Sequence, residues 1–118
     1  MLKHSDSLSL AFQALADPTR RALIDRLIGG PASVTQLCEP LDMTMSAVVQ
    51  HLGVLEGAGL VRSEKIGRVR TYQVATEGLR SAEDWLATRR TPIERRLDRL
   101  GELLAADADH TNTTTDKE

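Results

Sequence analysis

Residues 44–58 have the sequence TMSAVVQHLGVLEGA, which has the spacing of an amphipathic helix. At 100° per residue, Val48, Leu52 and Leu55 fall on one face, which we expect to enter a core. The opposite face carries small or hydrogen-bonding residues, namely Ser46, Gln50, Gly53 and Gly57. The segment is therefore predicted to be a helix with a buried face and a smooth outward face that carries no acid.

The sequence just before this helix predicts a second, shorter one. Ser33 can cap a short helix that ends near Pro40, and Leu41-Asp42-Met43 is long enough only for a tight turn. Thr44 or Ser46 can then cap the helix that follows. Two short helices joined by about four residues form a helix-turn-helix unit.

After the helix 44–58 the sequence period changes to that of strands. Gly59 is a natural left-handed helix terminator. Leu60–Lys65 and Val69–Ala75 are short strand-like runs, and Ile66-Gly67-Arg68 lies between them as a hairpin tip. A hairpin in this place is the wing of a winged helix-turn-helix.

Two further helices are predicted upstream. Apolar residues from Leu8 to Ala16 fit a largely buried helix that follows a loose start at residues 1–6. Asp17 can cap the next helix, with Pro18 in its first turn, and Gly29-Gly30-Pro31 ends it. The predicted fold is therefore mainly α with a small β-hairpin, in the order α-α-α-α-β-β-α.

The last predicted helix covers residues 77–106. Leu79, Leu86, Ile93 and Leu100 recur every seven residues, and Pro92 must kink this helix or divide it into two. Residues 1–106 are expected to form one DNA-binding and dimerisation domain. Residues 107–118 are polar and rich in threonine, and we expect them to form a disordered tail.

The outward face of the helix 44–58 suits the DNA major groove. Short side chains permit close approach, and Gln50 can make two hydrogen bonds to an adenine edge. Residues 61–72 hold four cations against one acid, so the wing can reach phosphates or the adjacent minor groove. The alternative is an ordinary amphipathic helix with a solvated charge run. The residues expected to contact double-stranded DNA are Thr44, Ser46, Ala47, Gln50, His51, Arg62, Lys65, Arg68 and Arg70.

The chain resembles the ArsR/SmtB family of bacterial repressors over about residues 7–105. The matching segments are Ala14–Arg21, Ser46–Leu55, Ala58–Val61 and the wing segment Gly67–Tyr72. The resemblance implies a winged helix-turn-helix dimer that represses promoters and is released by a signal, so a pseudo-palindromic operator is expected.

The metal sites of that family have no match in this sequence. Cys38 stands alone where the metal sensors carry a paired-cysteine motif, and the last helix has Glu83 and Asp84 but no histidine before His110. We therefore expect no metal and no cofactor. The resemblance is to a subgroup without these sites, whose long last helix is rich in arginine and tryptophan. A small-molecule or redox inducer is left open, although Cys38 is more simply a small apolar residue.

A long apolar stripe on one small domain predicts a second copy of the chain as its cover. The alternative is that the stripe packs only on its own domain. A two-fold dimer would also present two recognition helices about 34 Å apart, one turn of DNA. The expected interface residues are Leu8, Phe12, Leu79, Trp85, Leu86, Ile93, Leu97 and Leu100.

Composition excludes several other classes of protein. No apolar run is long enough to span a membrane and no secretory signal pattern is present, so we expect a cytoplasmic protein. No nucleophile–base pair or phosphate-binding glycine loop is found, so we expect no enzyme. The net charge of −2 keeps one alternative open, a protein-interaction module on a winged scaffold that has lost DNA binding.

Overall fold

The computed structural model describes the backbone from residue 4 to residue 116 and the side chains from residue 6 to residue 108. Its order of elements is a winged helix-turn-helix with one additional short strand. The elements are α1 (His4–Leu15), α2 (Pro18–Ile28), β1 (Ala32–Ser33), α3 (Val34–Cys38), α4 (Met45–Gly57), β2 (Val61–Ile66), β3 (Val69–Val74) and α5 (Thr76–Asp116).

The helix starts are set by the predicted caps. Asp17 accepts a hydrogen bond from the backbone N–H of Arg20 at the start of α2. Ser33 and Gln36 form a reciprocal capping box at α3, and Thr44 caps α4 by accepting from the Ala47 N–H. Each cap satisfies a backbone donor that the first helical turn leaves unpaired. The starts of α2, α3 and α4 predicted from these residues are therefore confirmed.

The three strands form an antiparallel sheet in the order β1-β3-β2. In the wing, Ile66 pairs with Val69, so the loop is the two-residue turn Gly67-Arg68. Gly67 has a φ of +63° and Arg68 does not have a positive φ, which is the arrangement of a type II′ hairpin turn. The predicted strands and tip are confirmed to within one residue at each end.

The core belongs to a unit that spans Met1–Glu83. The inward face of α4, formed by Val48, Leu52 and Leu55, is completely buried, as predicted. It packs with residues from α2, α3 and the sheet, chiefly Leu23, Ile24, Leu27, Leu37, Leu60, Val61 and Tyr72. The core has few aromatic side chains, so burial of these aliphatic ones holds α4 in a fixed orientation. Each fully buried aliphatic side chain contributes roughly 1.5–3 kcal/mol to the free energy of folding.

The end of α4 packs closely against the first turn of α5. Gly59 has a φ of +72°, and its carbonyl accepts a hydrogen bond of 2.9 Å from the Gly78 N–H. A Cβ at Gly78 would lie 2.5 Å from the Ala58 carbonyl oxygen. Only glycine therefore permits this backbone approach at position 78.

A second unit begins at Asp84, and the part of it that the structure describes is the remainder of α5. The helix continues through Pro92, so it is one helix and is not divided. Just before the proline, the Thr88 hydroxyl donates to the Trp85 carbonyl and the Thr91 hydroxyl donates to the Ala87 carbonyl. Helices tolerate such hydrogen bonds from a side chain to a carbonyl of the preceding turn.

Three details of the chain ends and the sheet differ from the sequence-based expectation. The first helix begins at His4 and is longer than predicted, and β1 was not predicted at all. The last helix extends to Asp116, beyond the expected end at residue 106. Side chains after residue 108 and all of residues 117 and 118 lie outside the described residues, so the disorder expected there stays a prediction.

Candidate nucleic-acid interface

The outward face of α4 is exposed as the sequence predicts. Ser46, Gln50, Gly53 and Gly57 are all exposed, and a Cβ added at either glycine would meet no neighbouring atom. Thr44 is exposed, but its hydroxyl already accepts a 3.1 Å hydrogen bond from Ala47, which is half-buried. Thr44 therefore shapes the start of the helix through its oxygen, and its hydroxyl proton is an available polar group beside those of Ser46 and Gln50.

Two apolar residues on the same side of α4 were not among the predicted DNA contacts. Met45 is 49% exposed and Val49 is 46% exposed, beside Ser46 and Gln50. Their spacing of four residues places them in one row along the helix, which is the signal that could have identified them. Methyl groups in such a row can contact the C5-methyl group of thymine.

His51 is half-buried and lies in a cluster with the start of α2. Its Nδ1 is 3.3 Å from Arg20 Nη1 and 3.9 Å from Asp17 Oδ2. The backbone N–H of Arg20 donates to Asp17, and this bond holds the pKa of the Asp17 carboxyl below its ordinary value. The cluster was not predicted, although Asp17 and Arg20 both belong to a segment that carries the family resemblance.

The cations of the wing are divided between its two faces. Side chains alternate along strands, so Lys65 and Arg70, which are paired across the hairpin, share the face of the buried Tyr72. Arg62 lies on the opposite face, where Nη1 is 3.8 Å from Glu77 Oε1. Arg68 occupies the turn and is exposed. The four predicted cations therefore do not form a single cluster.

A chain of hydrogen bonds ties the wing to α4. Arg70 Nη1 donates to Ser63 Oγ at 3.0 Å, and Ser63 donates to Glu56 Oε2 at 2.8 Å. Glu56 lies on α4 and was not assigned a role from sequence. The contact fixes the base of the hairpin relative to the helix whose outward face is exposed.

The structure shows how the potential metal ligands of this chain are spaced. Among the residues it describes, no three His, Cys, Asp or Glu side chains lie close enough together to hold a metal ion. Cys38 is half-buried, and its thiol donates to the Met43 carbonyl at 3.4 Å. This contact agrees with a packing role beside the turn of the helix-turn-helix.

The predicted interface residues have different surroundings. Leu8 and Phe12 on α1 are half-buried, and Leu79 packs against the core of its own unit. In the second unit, Trp85 is 39% exposed, with the Arg89 guanidinium 4.4 Å from its ring centre. More than half of each remaining apolar side chain is exposed, namely Leu86, Ile93, Leu97, Leu100, Leu103 and Leu104.

No helix within residues 4–116 is both long and apolar enough to cross a membrane.

Comparison with known proteins identifies relatives of the same architecture. A helix-turn-helix domain family matches residues 15–64. The HTH-type transcriptional regulator Rv2034 of Mycobacterium tuberculosis is 48% identical over 69 residues, which are 58% of this chain and 64% of that protein. The transcriptional repressor SdpR of Bacillus subtilis is 28% identical over 64% of this chain and 83% of its own length. The matched segment thus spans less than two thirds of Rv2034.

Solved structures extend the match to most of the fold. The ArsR family transcriptional regulator RHA00566 is 42% identical, with a TM-score of 0.73, over 80% of this chain and 97% of that chain. An ArsR-like transcriptional regulator from Rhodococcus sp. RHA1 is 28% identical, with a TM-score of 0.72, over 85% and 92% of the two chains.

Proposed function

Because the chain belongs to the ArsR family of winged helix-turn-helix transcriptional regulators, we propose that it binds double-stranded DNA as a homodimeric repressor. In this proposal α4 lies in the major groove and the wing contacts the backbone beside it. Two copies read the halves of a pseudo-palindromic operator.

The single observation that carries the proposal is the exposed outward face of α4. Its buried face fixes the helix in the core, while Ser46 and Gln50 project from the other side with no competing partner among the described side chains. Gln50 can bind an adenine edge with two hydrogen bonds, and Val49 can contact a neighbouring thymine methyl group. The two exposed glycines permit close approach of the α4 backbone to the groove.

The wing supplies contacts that do not depend on sequence. We assign the main phosphate or minor-groove contacts to Arg68 in the turn and to Lys65, both exposed. Arg70 has a second role because it also holds Ser63 and, through it, Glu56. Arg62 would have to exchange Glu77 for a phosphate, so we assign it the weakest contact.

The exposed apolar side chains of α5 support the dimer. A row of leucine and isoleucine side chains, each more than half exposed, is a surface that soluble proteins normally cover. A second copy would cover it, and the same two-fold symmetry would place two α4 helices about one DNA turn apart. Action on chromosomal DNA would place the protein in the cytoplasm.

The competing function is a protein-interaction module that no longer binds DNA. It is favoured by the net charge of −2 and by the absence of lysine and arginine from α4. Selection of bound fragments from the source genome at low salt, followed by footprinting, separates the two functions. The proposal predicts a protected pseudo-palindrome and affinity that falls steeply with salt. No enriched fragment would favour the interaction module.

A further inference from the structure

One side chain, that of Arg20, joins three helices. Its Nε donates to the Ala14 carbonyl at 2.7 Å and its Nη2 donates to the Gln13 carbonyl at 3.0 Å, both in the last turn of α1. Its Nη1 lies 3.3 Å from Nδ1 of His51 on α4. Arg20 itself belongs to α2. The rigid fork of one guanidinium therefore links the end of α1 to the helix that carries Gln50.

The contact with Arg20 favours one position for the proton of His51. A guanidinium has donors but no acceptor, so Nδ1 of His51 must be the acceptor in this hydrogen bond. The ring is then neutral and carries its proton on Nε2. Asp17 Oδ2, 3.9 Å from the same Nδ1, is the alternative partner, and it would require a proton on Nδ1. Arg20 and Asp17 thus favour opposite tautomers.

We propose that Arg20 is a positioning residue for DNA recognition: it holds His51 as an Nε2–H donor for a DNA phosphate and ties the orientation of α4 to the end of α1. The donor role of His51 rests on the proposed function. The tautomer and the tie between helices rest only on the contacts within the chain. Any displacement of the last turn of α1 would reach the residue beside Gln50 through this one side chain.

Arg21 provides a matched control. Its Nη1 donates to the Leu15 carbonyl at 2.7 Å, so it binds the same end of α1 as Arg20 does. Among the described contacts it has no hydrogen bond to His51. If arginines at the start of α2 served only to satisfy the terminal carbonyls of α1, Arg20→Met and Arg21→Met would have similar effects.

The first test measures the tautomer in the full chain without DNA. Long-range proton–nitrogen NMR spectra distinguish Nδ1–H from Nε2–H, and His51→Gln assigns the signals among the three histidines. We expect Nε2–H in the wild type and in Arg21→Met. In Arg20→Met we expect a shift to Nδ1–H, because Asp17 is then the remaining partner. An Nδ1–H wild type, or no change in Arg20→Met, would overturn the proposal.

The second test measures DNA affinity by titration of the operator selected from the genome. Arg20→Met should weaken binding about tenfold, as expected for loss of a charge-assisted hydrogen bond, and Arg20→Lys should restore part of it. In a His51→Gln background the same substitution should cost less than about twofold, since Arg20 acts through His51. An equal cost in both backgrounds would contradict the proposal. If the wild type bound no DNA, the proposed function would fail, while the NMR result would still decide what Arg20 does to His51.

Thermal unfolding checks that each variant is folded. The tautomer is read only in the folded chain, so a lower melting temperature in Arg20→Met does not mimic the expected result. If Arg20→Met does not fold, Arg20→Lys is used in its place. A lysine ammonium can bind the α1 carbonyls or His51, but it cannot bind both at once as the forked guanidinium does. A measurable Nδ1–H population in Arg20→Lys then supports the proposal, and a pure Nε2–H signal with unchanged affinity contradicts it.

Discussion

Arg62 Nη1 lies 3.8 Å from Glu77 Oε1, on the face of the wing opposite to Lys65. Both partners of this ion pair are well exposed, so the pair itself contributes little to stability. The pair matters for DNA binding, because Arg62 already contacts Glu77 whereas Arg68, close to it in sequence, is exposed in the turn.

This difference predicts unequal effects of two alanine substitutions. Arg68→Ala should weaken binding to all DNA sequences alike and reduce the salt slope by about 1, as for loss of one phosphate contact. Arg62→Ala should change the slope less. Fluorescence titrations of a duplex at several salt concentrations measure both. An unchanged slope in Arg68→Ala would show that Arg68 at the wing tip does not contact a phosphate.

The exposed glycines of α4 predict opposite changes in stability and binding. Gly53→Ala should stabilise the fold by up to about 1 kcal/mol, because alanine is the better helix former and the added Cβ meets no atom. The same methyl group would stand in the groove and weaken DNA binding. Gly101→Ala on α5 is the matched control, since its Cβ also meets no atom. Gly101→Ala should stabilise the fold, and DNA binding by its dimer should not weaken; equal affinity of the Gly53→Ala and Gly101→Ala dimers would contradict the placement of α4.

The capped start of α2 predicts a dependence of stability on pH. The pKa of Asp17 is lowered, chiefly because the backbone N–H of Arg20 donates to its carboxylate. A lowered folded-state pKa gives stability that is present above the ordinary value of 3.8 and is lost as the pH falls through the folded pKa. Asp17→Asn keeps a capping acceptor but does not titrate. As the pH is lowered into the acid range, the melting temperature of the wild type should therefore fall more steeply than that of Asp17→Asn. Parallel plots of melting temperature against pH for the two proteins would refute this role for Asp17.

The apolar surface of α5 predicts that a single charge disrupts self-association. Leu97 is 60% exposed in one copy, so Leu97→Glu should leave the folded chain intact and shift sedimentation from dimer to monomer. Asp98→Lys changes the charge of the next residue, which is also exposed, and this control variant should still sediment as a dimer. A Leu97→Glu variant that sediments as the wild type does would place the interface elsewhere.

The local parts of the fold could be predicted from sequence because short-range chemistry determines them. Asp17 and Ser33 are caps whose partners lie three residues away, and the burial of Val48, Leu52 and Leu55 follows from helical periodicity. The wing turn follows from the conformational freedom of Gly67. These features need no knowledge of distant contacts.

The missed features depend on distant contacts or on strand register. β1 has only two residues and exists because Ala32 and Ser33 pair with Tyr72 and Thr71. His51 and Arg20 are 31 residues apart, and nothing in either segment indicates the other. The separation of Arg62 from Lys65 could have been found, because strand alternation outward from a buried Val61 assigns them to opposite faces.

The length of α5 was underestimated because residues 107–118 are polar and rich in threonine, a composition that predicted a disordered tail. Pro92 removes one backbone donor and favours a break, yet the helix continues with threonine hydroxyls bonded to carbonyls beside it. Pro92 therefore does not divide the helix, which was one of the two outcomes predicted for it.

The central claim is that the outward face of α4 reads base pairs, and a scan of single base-pair substitutions tests it most directly. Affinities of the wild type and of Gln50→Ala are measured for every substitution in one operator half-site. We expect Gln50→Ala to lose discrimination of about 1–3 kcal/mol at one A·T position and to keep the wild-type preferences elsewhere. A Gln50→Ala profile identical to that of the wild type at every position would contradict the account.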